Sequence, residues 1–358
     1  MFRCTECGTE FREFRYTCDR CGSALLAVGY SMRWDPRGAG VWRYRSMLPV
    51  AMSISLAEGG SPLVRRRDSR DEVFMKVEGD NPTGSFKDRG STVVISDAYN
   101  RGFRTAVVAS TGNMGASVAA YAAYANMAAK VFIPKDIPPE KTAQIAAYGA
   151  ELVPVEGGFA EAVAAERREA GKGAYLASTG LNPYFIEGLK TIAFELFEQM
   201  GVPDKVVVPT GTGGLLTSIF KGFEELRSLG TVRKVPQMIA VQASGAAPIV
   251  EAWRDRTEIK EPGEARTIAS AILVKSPFNG RSAIDALDRS GGYGVTVTDH
   301  QIGQAVRTLG REGVFAEPAA AAPMAALDRV DHRRDDRIAL VITGSGLKDP
   351  SAVLRHDI

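Results

Sequence analysis

Lys87 stands in the stretch Gly79-Asp80-Asn81-Pro82-Thr83-Gly84-Ser85-Phe86-Lys87-Asp88-Arg89-Gly90, whose residue types set up amine chemistry. Before it, Val73-Phe74-Met75-Lys76-Val77 reads as a strand, and Ser91 to Tyr99 reads as a helix. The lysine therefore lies at a helix start, behind a turn of Asn, Pro, Thr and Gly. There the positive end of the helix dipole disfavours the ammonium ion and favours the neutral amine, the form that makes a Schiff base. A lysine considered alone reads as a solvated surface residue.

A second set of residues could bind metal. All four cysteines fall in the first 21 residues, as Cys4-x-x-Cys7 and, ten residues on, Cys18-x-x-Cys21. Gly8 and Gly22 follow the two pairs and let backbone amides turn toward the sulfurs. Two such knuckles present four thiolates to one structural zinc, with no open position for catalysis. The alternatives are two disulfides or free thiols. Met1-Phe2-Arg3-Cys4 has no apolar stretch behind it and reads as no secretory signal, which disfavours disulfides and points to the cytoplasm.

The elements that must position these residues alternate strand and helix. Thr105 to Ala109 is a continuous apolar run of the buried parallel kind. It feeds Ser110-Thr111-Gly112-Asn113-Met114 and an Ala-rich helix to about Tyr124. Strands are expected at 129–133, 151–155, 174–177, 205–209, 238–242 and 337–343. Helices are expected at 139–148, 160–171, 299–312 and 316–329, with a Pro-rich turn at Ile137-Pro138-Pro139. Residues 30–58, with Trp34, Trp42 and Tyr44, read as an extended arm and linker packing on the body. The pattern is a doubly wound α/β fold.

The chain has 358 residues, enough for two domains, with 45% apolar and 24% charged residues and a net charge of +2. That balance implies neither nucleic acid nor an anionic membrane as a partner. Arg65-Arg66-Arg67 and Arg333-Arg334 read as solvated surface. The most apolar stretch, Ala116 to Ile133, is interrupted by Asn126 and Lys130 and does not read as a membrane span.

Pro82-Thr83-Gly84-Ser85-Phe86-Lys87-Asp88-Arg89-Gly90 resembles the lysine motif of fold-type II pyridoxal-phosphate enzymes, in the version found in threonine synthases. The resemblance runs from about Gly60 to Pro350. It implies two doubly wound α/β domains, with a small Cys4 zinc ribbon ahead of the enzyme as in some relatives. The expected boundaries are 1–30 for the ribbon, 31–92 with 200–358 for the large cofactor-binding domain, and 93–199 for the small domain. It also implies that Lys87 carries pyridoxal 5′-phosphate as an aldimine and, once released, takes the Cα proton. Asn113 would hydrogen-bond the cofactor 3′-oxygen. Ser110, Thr111, Gly112, Asn113 and Met114 would hold the carboxylate of an amino-acid substrate. Gly211-Thr212-Gly213-Gly214-Leu215, a strand-to-helix turn, would cup the cofactor phosphate. Thr343 would face the pyridine nitrogen, a neutral partner that suits elimination and replacement better than transamination. His300, His332 and His356 lie outside these motifs. By analogy the assembly is a homodimer.

The activity implied is conversion of O-phospho-L-homoserine and water to L-threonine and phosphate. One stretch departs from the pattern. The positions matching the family's contacts to the substrate phosphate hold Thr179, Gly180, Phe185 and Leu189, so an arginine fork has become a benzyl group. The Gly-Thr-Gly-Gly-Leu loop is itself more like that of serine and threonine dehydratases. β-Elimination or β-replacement on a shorter amino acid (serine/threonine dehydratase, or a cysteate or cysteine synthase using O-phosphoserine) is therefore the alternative. A non-catalytic scaffold bearing a zinc-ribbon binding module is a third.

Overall fold

The computed structural model describes residues 1–67, 72–136, 139–333 and 335–350. The expected turn at Ile137-Pro138 and the expected surface residue Arg334 lie outside the described residues. In chain order the elements begin with β1 (Phe2–Cys4), β2 (Glu10–Phe11), β3 (Leu25–Ala27), β4 (Leu63–Arg65) and β5 (Glu72–Val77). There follow α1 (Lys87–Asn100), β6 (Thr105–Ala109), α2 (Asn113–Tyr124), β7 (Ala128–Pro134), α3 (Pro139–Ala147), β8 (Glu151–Val155), α4 (Phe159–Ala170), β9 (Tyr175–Leu176) and α5 (Pro183–Leu189). The chain continues with α6 (Thr191–Met200), β10 (Lys205–Pro209), α7 (Gly214–Ser228), β11 (Gln237–Ala243), α8 (Pro248–Asp255) and α9 (Gly280–Ser290). It ends with β12 (Tyr293–Val297), α10 (Asp299–Arg311), α11 (Pro318–Ala326) and β13 (Arg337–Ile342).

These elements form two compact units, Met1–Gly59 with Asn81–Leu189, and Gly60–Asp80 with Lys190–Ile358. The first unit holds a parallel four-stranded sheet in the order β8-β7-β6-β9. Its central strand β6 is apolar and buried along Ala106 to Ala109, as a strand covered on both faces must be. Helices α2 and α4 both pack on β6 and β7. The ribbon belongs to this unit. Its strands pair antiparallel in the order β2-β1-β3. Phe2, Phe14, Tyr16, Tyr175 and Tyr184 form one aromatic cluster, with centroids 4.9–6.2 Å apart. The ribbon thus packs on β9 and α5 through ring edges and faces that bury large apolar area.

Residues 30–58 pack on the first unit as expected, but are not extended throughout. Val41–Met47 form a 3-10 segment whose Trp42, Tyr44 and Met47 are buried. The Trp42 indole N–H donates to Thr92 Oγ1 at 2.8 Å, satisfying the one polar atom that burial of the ring would otherwise orphan.

The second unit holds a six-stranded sheet in the order β12-β11-β10-β13-β5-β4. Its strands are parallel except β4, which pairs antiparallel with β5. Strand β12 was not expected from the sequence. A packed apolar core joins β5, β10, β11, β12 and β13 to α10 and α11. Inside this unit the Lys76 ammonium is fully buried and lies 2.6 Å from Glu195, 2.6 Å from the Ser61 carbonyl and 2.9 Å from Gln199. Three acceptors around one buried cation meet its desolvation cost. No helix among the described residues is long and apolar enough to cross a membrane.

Candidate active site

Lys87 is the first residue of α1, so the helix starts at the lysine and not at Ser91. The preceding turn is closed by the Gly84 amide donating to the Asn81 carbonyl, with Gly84 at φ +88°, a conformation that favours glycine. Lys87 is half-buried. Its Nζ lies 4.6 Å from the centre of the Phe86 ring and 5.6 Å from that of Phe185. Two residues before it, the Ser85 hydroxyl is buried and has no hydrogen-bond partner among the described residues.

Phe185 is fully buried, and its ring lies against the Cα of Gly90, where an added Cβ would collide with it. Gly188 makes the matching approach from α5 to the Arg89 carbonyl. The benzyl group therefore packs α5 onto α1. Position 185 thus presents an apolar ring that offers a phosphate no hydrogen-bond donor. Leu189 is buried as well, while Thr179 and Gly180 are partly exposed.

Asn113, expected in a loop, is the first residue of α2, and Met114 lies in its first turn. Both are buried; Ser110 and Thr111 are partly exposed and Gly112 is exposed. The Gly112 amide donates to Ser110 Oγ at 3.3 Å, and no atom lies within 4 Å of where a Gly112 Cβ would stand. The loop that leaves the C-terminal end of β6 thus offers hydroxyls, a helix start and open space, which suits a carboxylate.

The first unit also gathers polar residues that motif matching had not singled out. The Asp88 carboxylate accepts the Thr83 amide at 2.7 Å and the Thr83 and Ser117 hydroxyls at 2.6 Å each. Gln144 donates to the Thr83 carbonyl at 3.0 Å. Behind this, the Tyr121 hydroxyl donates to Glu58, whose carboxylate also accepts the Leu56 amide. Burial pushes the Asp88 carboxyl up to about 6, the three donors notwithstanding. The signal for Asp88 was in plain view next to Lys87; its partners lie 5 and 29 residues away and carry no local pattern.

In the second unit, Gly211 to Gly213 form the turn between β10 and α7, and Gly214 and Leu215 open the helix. Gly213 sits at φ +90° as the N-cap of α7, and a Cβ there would stand 2.6 Å from the Asn279 carbonyl oxygen. Glycine is therefore required by backbone packing as well as by turn shape. The first-turn amides of this 15-residue helix have no intrahelical acceptor, and with the dipole they make an anion cup. Thr343 follows β13, the neighbour of β10, and is buried. The two strands are parallel neighbours, paired from Lys205↔Ile338 to Val207↔Leu340, so both run toward the same edge of the sheet.

At the N-terminus, Cys4, Cys7, Cys18 and Cys21 bring their sulfurs within 4.8 Å of one another. The closest separations are 3.4 Å for Cys4–Cys21, 3.6 Å for Cys7–Cys18 and 3.7 Å for Cys7–Cys21. A zinc at ~2.3 Å from each of four thiolates needs sulfurs about 3.8 Å apart. Gly8 and Gly22, at φ +69° and +74°, make the expected knuckle turns. The donor set and spacing fit a tetrahedral metal.

Pyridoxal phosphate passes a similar test, unit by unit. The first unit has a half-buried primary amine at a helix start and an orphaned buried hydroxyl at Ser85. The second has an amide cup and a neutral hydroxyl at adjacent strand ends.

Comparison with known proteins agrees. The pyridoxal-phosphate dependent enzyme family matches residues 54–344. The threonine synthase of Methanocaldococcus jannaschii is 40% identical, over 99% of this chain and 94% of that one. The threonine synthase of Methanosarcina acetivorans is 37% identical, over 98% and 93%. Among solved structures, maize serine racemase superposes with a TM-score of 0.70 at 22% identity, covering 81% of this chain and 89% of that one, a likeness of fold. The chain belongs to the pyridoxal-phosphate dependent enzymes, as a threonine synthase-like member of that family.

Proposed function

We propose that the protein is a lyase that converts O-phospho-L-homoserine and water to L-threonine and phosphate. The observation that carries this reading is Lys87 at the first position of α1, in a chain 40% identical along nearly its whole length to a threonine synthase. Pyridoxal phosphate, when bound, supplies a carbonyl carbon for Lys87 Nζ and a conjugated ring that draws electrons from the substrate Cα.

The chain's own residues do the rest. Lys87 Nζ would carry the cofactor and, when free, would be the base for the Cα proton. Ser110, Thr111, Gly112, Asn113 and Met114 would hold the substrate carboxylate, and Asn113 would also hydrogen-bond the cofactor. Gly211, Thr212, Gly213, Gly214 and Leu215 hold the cofactor phosphate through backbone amides. With the cofactor bound, the Thr343 hydroxyl would offer the ring nitrogen a neutral partner, which would favour elimination and hydration on the side chain. In this scheme the six-stranded unit corresponds to the large cofactor-binding domain and the four-stranded unit to the small one, with 31–59 and 81–92, expected in the large domain, falling in the four-stranded unit and 190–199, expected in the small one, in the six-stranded unit. A cytoplasmic homodimer goes with the reading, and sedimentation would test the assembly.

The burial of Phe185 favours a second reading, elimination or replacement on a shorter amino acid that brings no distal phosphate on a homoserine chain. The test is phosphate release from O-phosphohomoserine, with O-phosphoserine, serine and threonine run in parallel. Threonine and phosphate formed together from phosphohomoserine support the first reading. Turnover only of the shorter amino acids overturns it in favour of the second.

Cys4, Cys7, Cys18 and Cys21 are proposed to hold one structural zinc. Metal analysis is expected to give one zinc per chain and none in a Cys4→Ser/Cys18→Ser double variant. Zinc binding of this type contributes about 10 kcal/mol to folding the metal-bound segment. Chelation should therefore unfold the ribbon and release the Phe2–Phe14–Tyr16 cluster, visible in near-ultraviolet circular dichroism. Metal-free protein with an unaltered aromatic signal would contradict the assignment.

A further inference from the structure

We propose that Asp88 is a positioning residue that fixes the Lys87 turn against the helix beginning at Asn113. Its carboxylate binds Thr83 on the turn and Ser117 on α2 with the same oxygen, Oδ1, while Oδ2 takes the Thr83 amide. Ser117 lies one helical turn beyond Asn113, and Asp88 directly follows Lys87. One carboxylate thus spans the two segments that carry the reactive amine and the asparagine assigned to the cofactor ring. The inference rests on the cofactor reading above.

The geometry is that of a junction rather than a surface cap. Asp88, Ser117, Ser91 and Thr83 are all buried, and the Ser117 and Ser91 hydroxyls lie 2.7 Å apart. The charged and titratable groups around the junction are few. Glu58 approaches from the segment before β4 and Tyr121 from α2, while Arg89 and Lys87 flank Asp88 on its own helix. Helix α5, packed on α1, adds Glu187, which accepts from Tyr30. Glu58 raises the Asp88 carboxyl in the same direction as burial does. An acceptor that is ionised at neutral pH in spite of this keeps all three donors satisfied. Once protonated near pH 6 it must turn one oxygen from acceptor into donor, and one of the three donors loses its partner.

The Asp88→Asn variant imitates that state at every pH. Its amide places donors against donors on one side of the junction. Pyridoxal phosphate is titrated into cofactor-free full-length protein from pH 5 to pH 9, followed by visible absorbance, with thermal melts of the same samples. Wild-type affinity is expected to fall as pH drops through about 6. The Asp88→Asn variant is expected to bind 10- to 100-fold more weakly at pH 8, the loss of a charge-assisted contact, and to converge with wild type at pH 5. Ser117→Ala, which releases only the α2 side, is expected to show a smaller loss with the inflection near pH 6 retained. An Asp88→Asn variant with wild-type affinity overturns the proposal. So does one whose loss is the same at pH 5 and pH 8, which would mark a purely structural role. Wild-type protein that takes up no pyridoxal phosphate overturns the cofactor reading and this proposal with it.

Discussion

Replacement of Lys87 by alanine is expected to cut turnover by roughly 10⁴-fold or more while leaving the fold in place. Two separate contributions are lost. The covalent attachment that readies the cofactor for exchange with the substrate amine disappears. So does the base at Cα, which alone is worth about 10²–10⁴-fold. The fold should tolerate the change because alanine is the best helix former and Lys87 is only half-buried at the first position of α1. The check is steady-state turnover beside thermal melts. An added primary amine should restore part of the rate, since it can enter the space left by the side chain. Turnover within tenfold of wild type would remove Lys87 from the mechanism.

The second large effect lies away from the chemistry. Glu166 on α4 is fully buried, and its carboxyl finds no hydrogen-bond partner among the described residues, although the Ala109 amide and the Ser178 hydroxyl face it. Burial pushes it up to about 8 from 4.5. The folded protein thus holds a proton that the unfolded chain gives up above 4.5. The resulting stability is fully present below pH 4.5, falls as pH rises toward 8, and is level beyond. At ~1.4 kcal/mol per pH unit the loss is about 5 kcal/mol. The Glu166→Gln variant carries no such proton. Its melting temperature should rise relative to wild type between pH 5 and pH 8, by on the order of 10 °C in all. Parallel melting curves for the two proteins across that range would contradict the account. Glu166 lies beneath Ala109, where β6 ends and the Ser110–Met114 loop begins, so its neutral form also leaves that loop without an opposing charge.

The strands were legible in the sequence where they are continuous apolar runs. Thr105–Ala109 and Lys205–Pro209 come out at the expected limits because four consecutive residues of each are buried and apolar. The edge strand Glu151–Val155 does so as well, although none of its residues is buried. Strand β12 escaped notice because Tyr293-Gly294-Val295-Thr296-Val297 contains a glycine and is only half-buried. That glycine is required by packing: a Cβ at Gly294 would stand 2.8 Å from Val250 of α8, a contact no local pattern announces. The 3-10 segment within the arm at residues 30–58 was not legible for a similar reason, since Trp42 finds its partner at Thr92, 50 residues away.

The candidate site divides in the same way. Lys87, the Gly211–Leu215 turn and the four cysteines each occupy a short segment whose spacing states its geometry. The consequence of Phe185 was not legible. As a residue type it signalled a lost phosphate contact, whereas its ring fills the gap left by Gly90 between two helices. Asp88 stands in the lysine motif with no pattern that announces a role, because its partner Ser117 is brought near only by the packing of α1 on α2.

The central claim is that Lys87 is the lysine that carries the cofactor. Borohydride reduction of the cofactor-loaded protein converts the C=N bond to a stable amine, and peptide mapping then locates the added mass. The account predicts the label on the peptide containing Ser85-Phe86-Lys87-Asp88-Arg89, with none on Lys76 or Lys190, whose ammonium groups are buried in ion pairs with Glu195 and Glu225. A label on another lysine, or loaded protein that takes up no stable label, would contradict it.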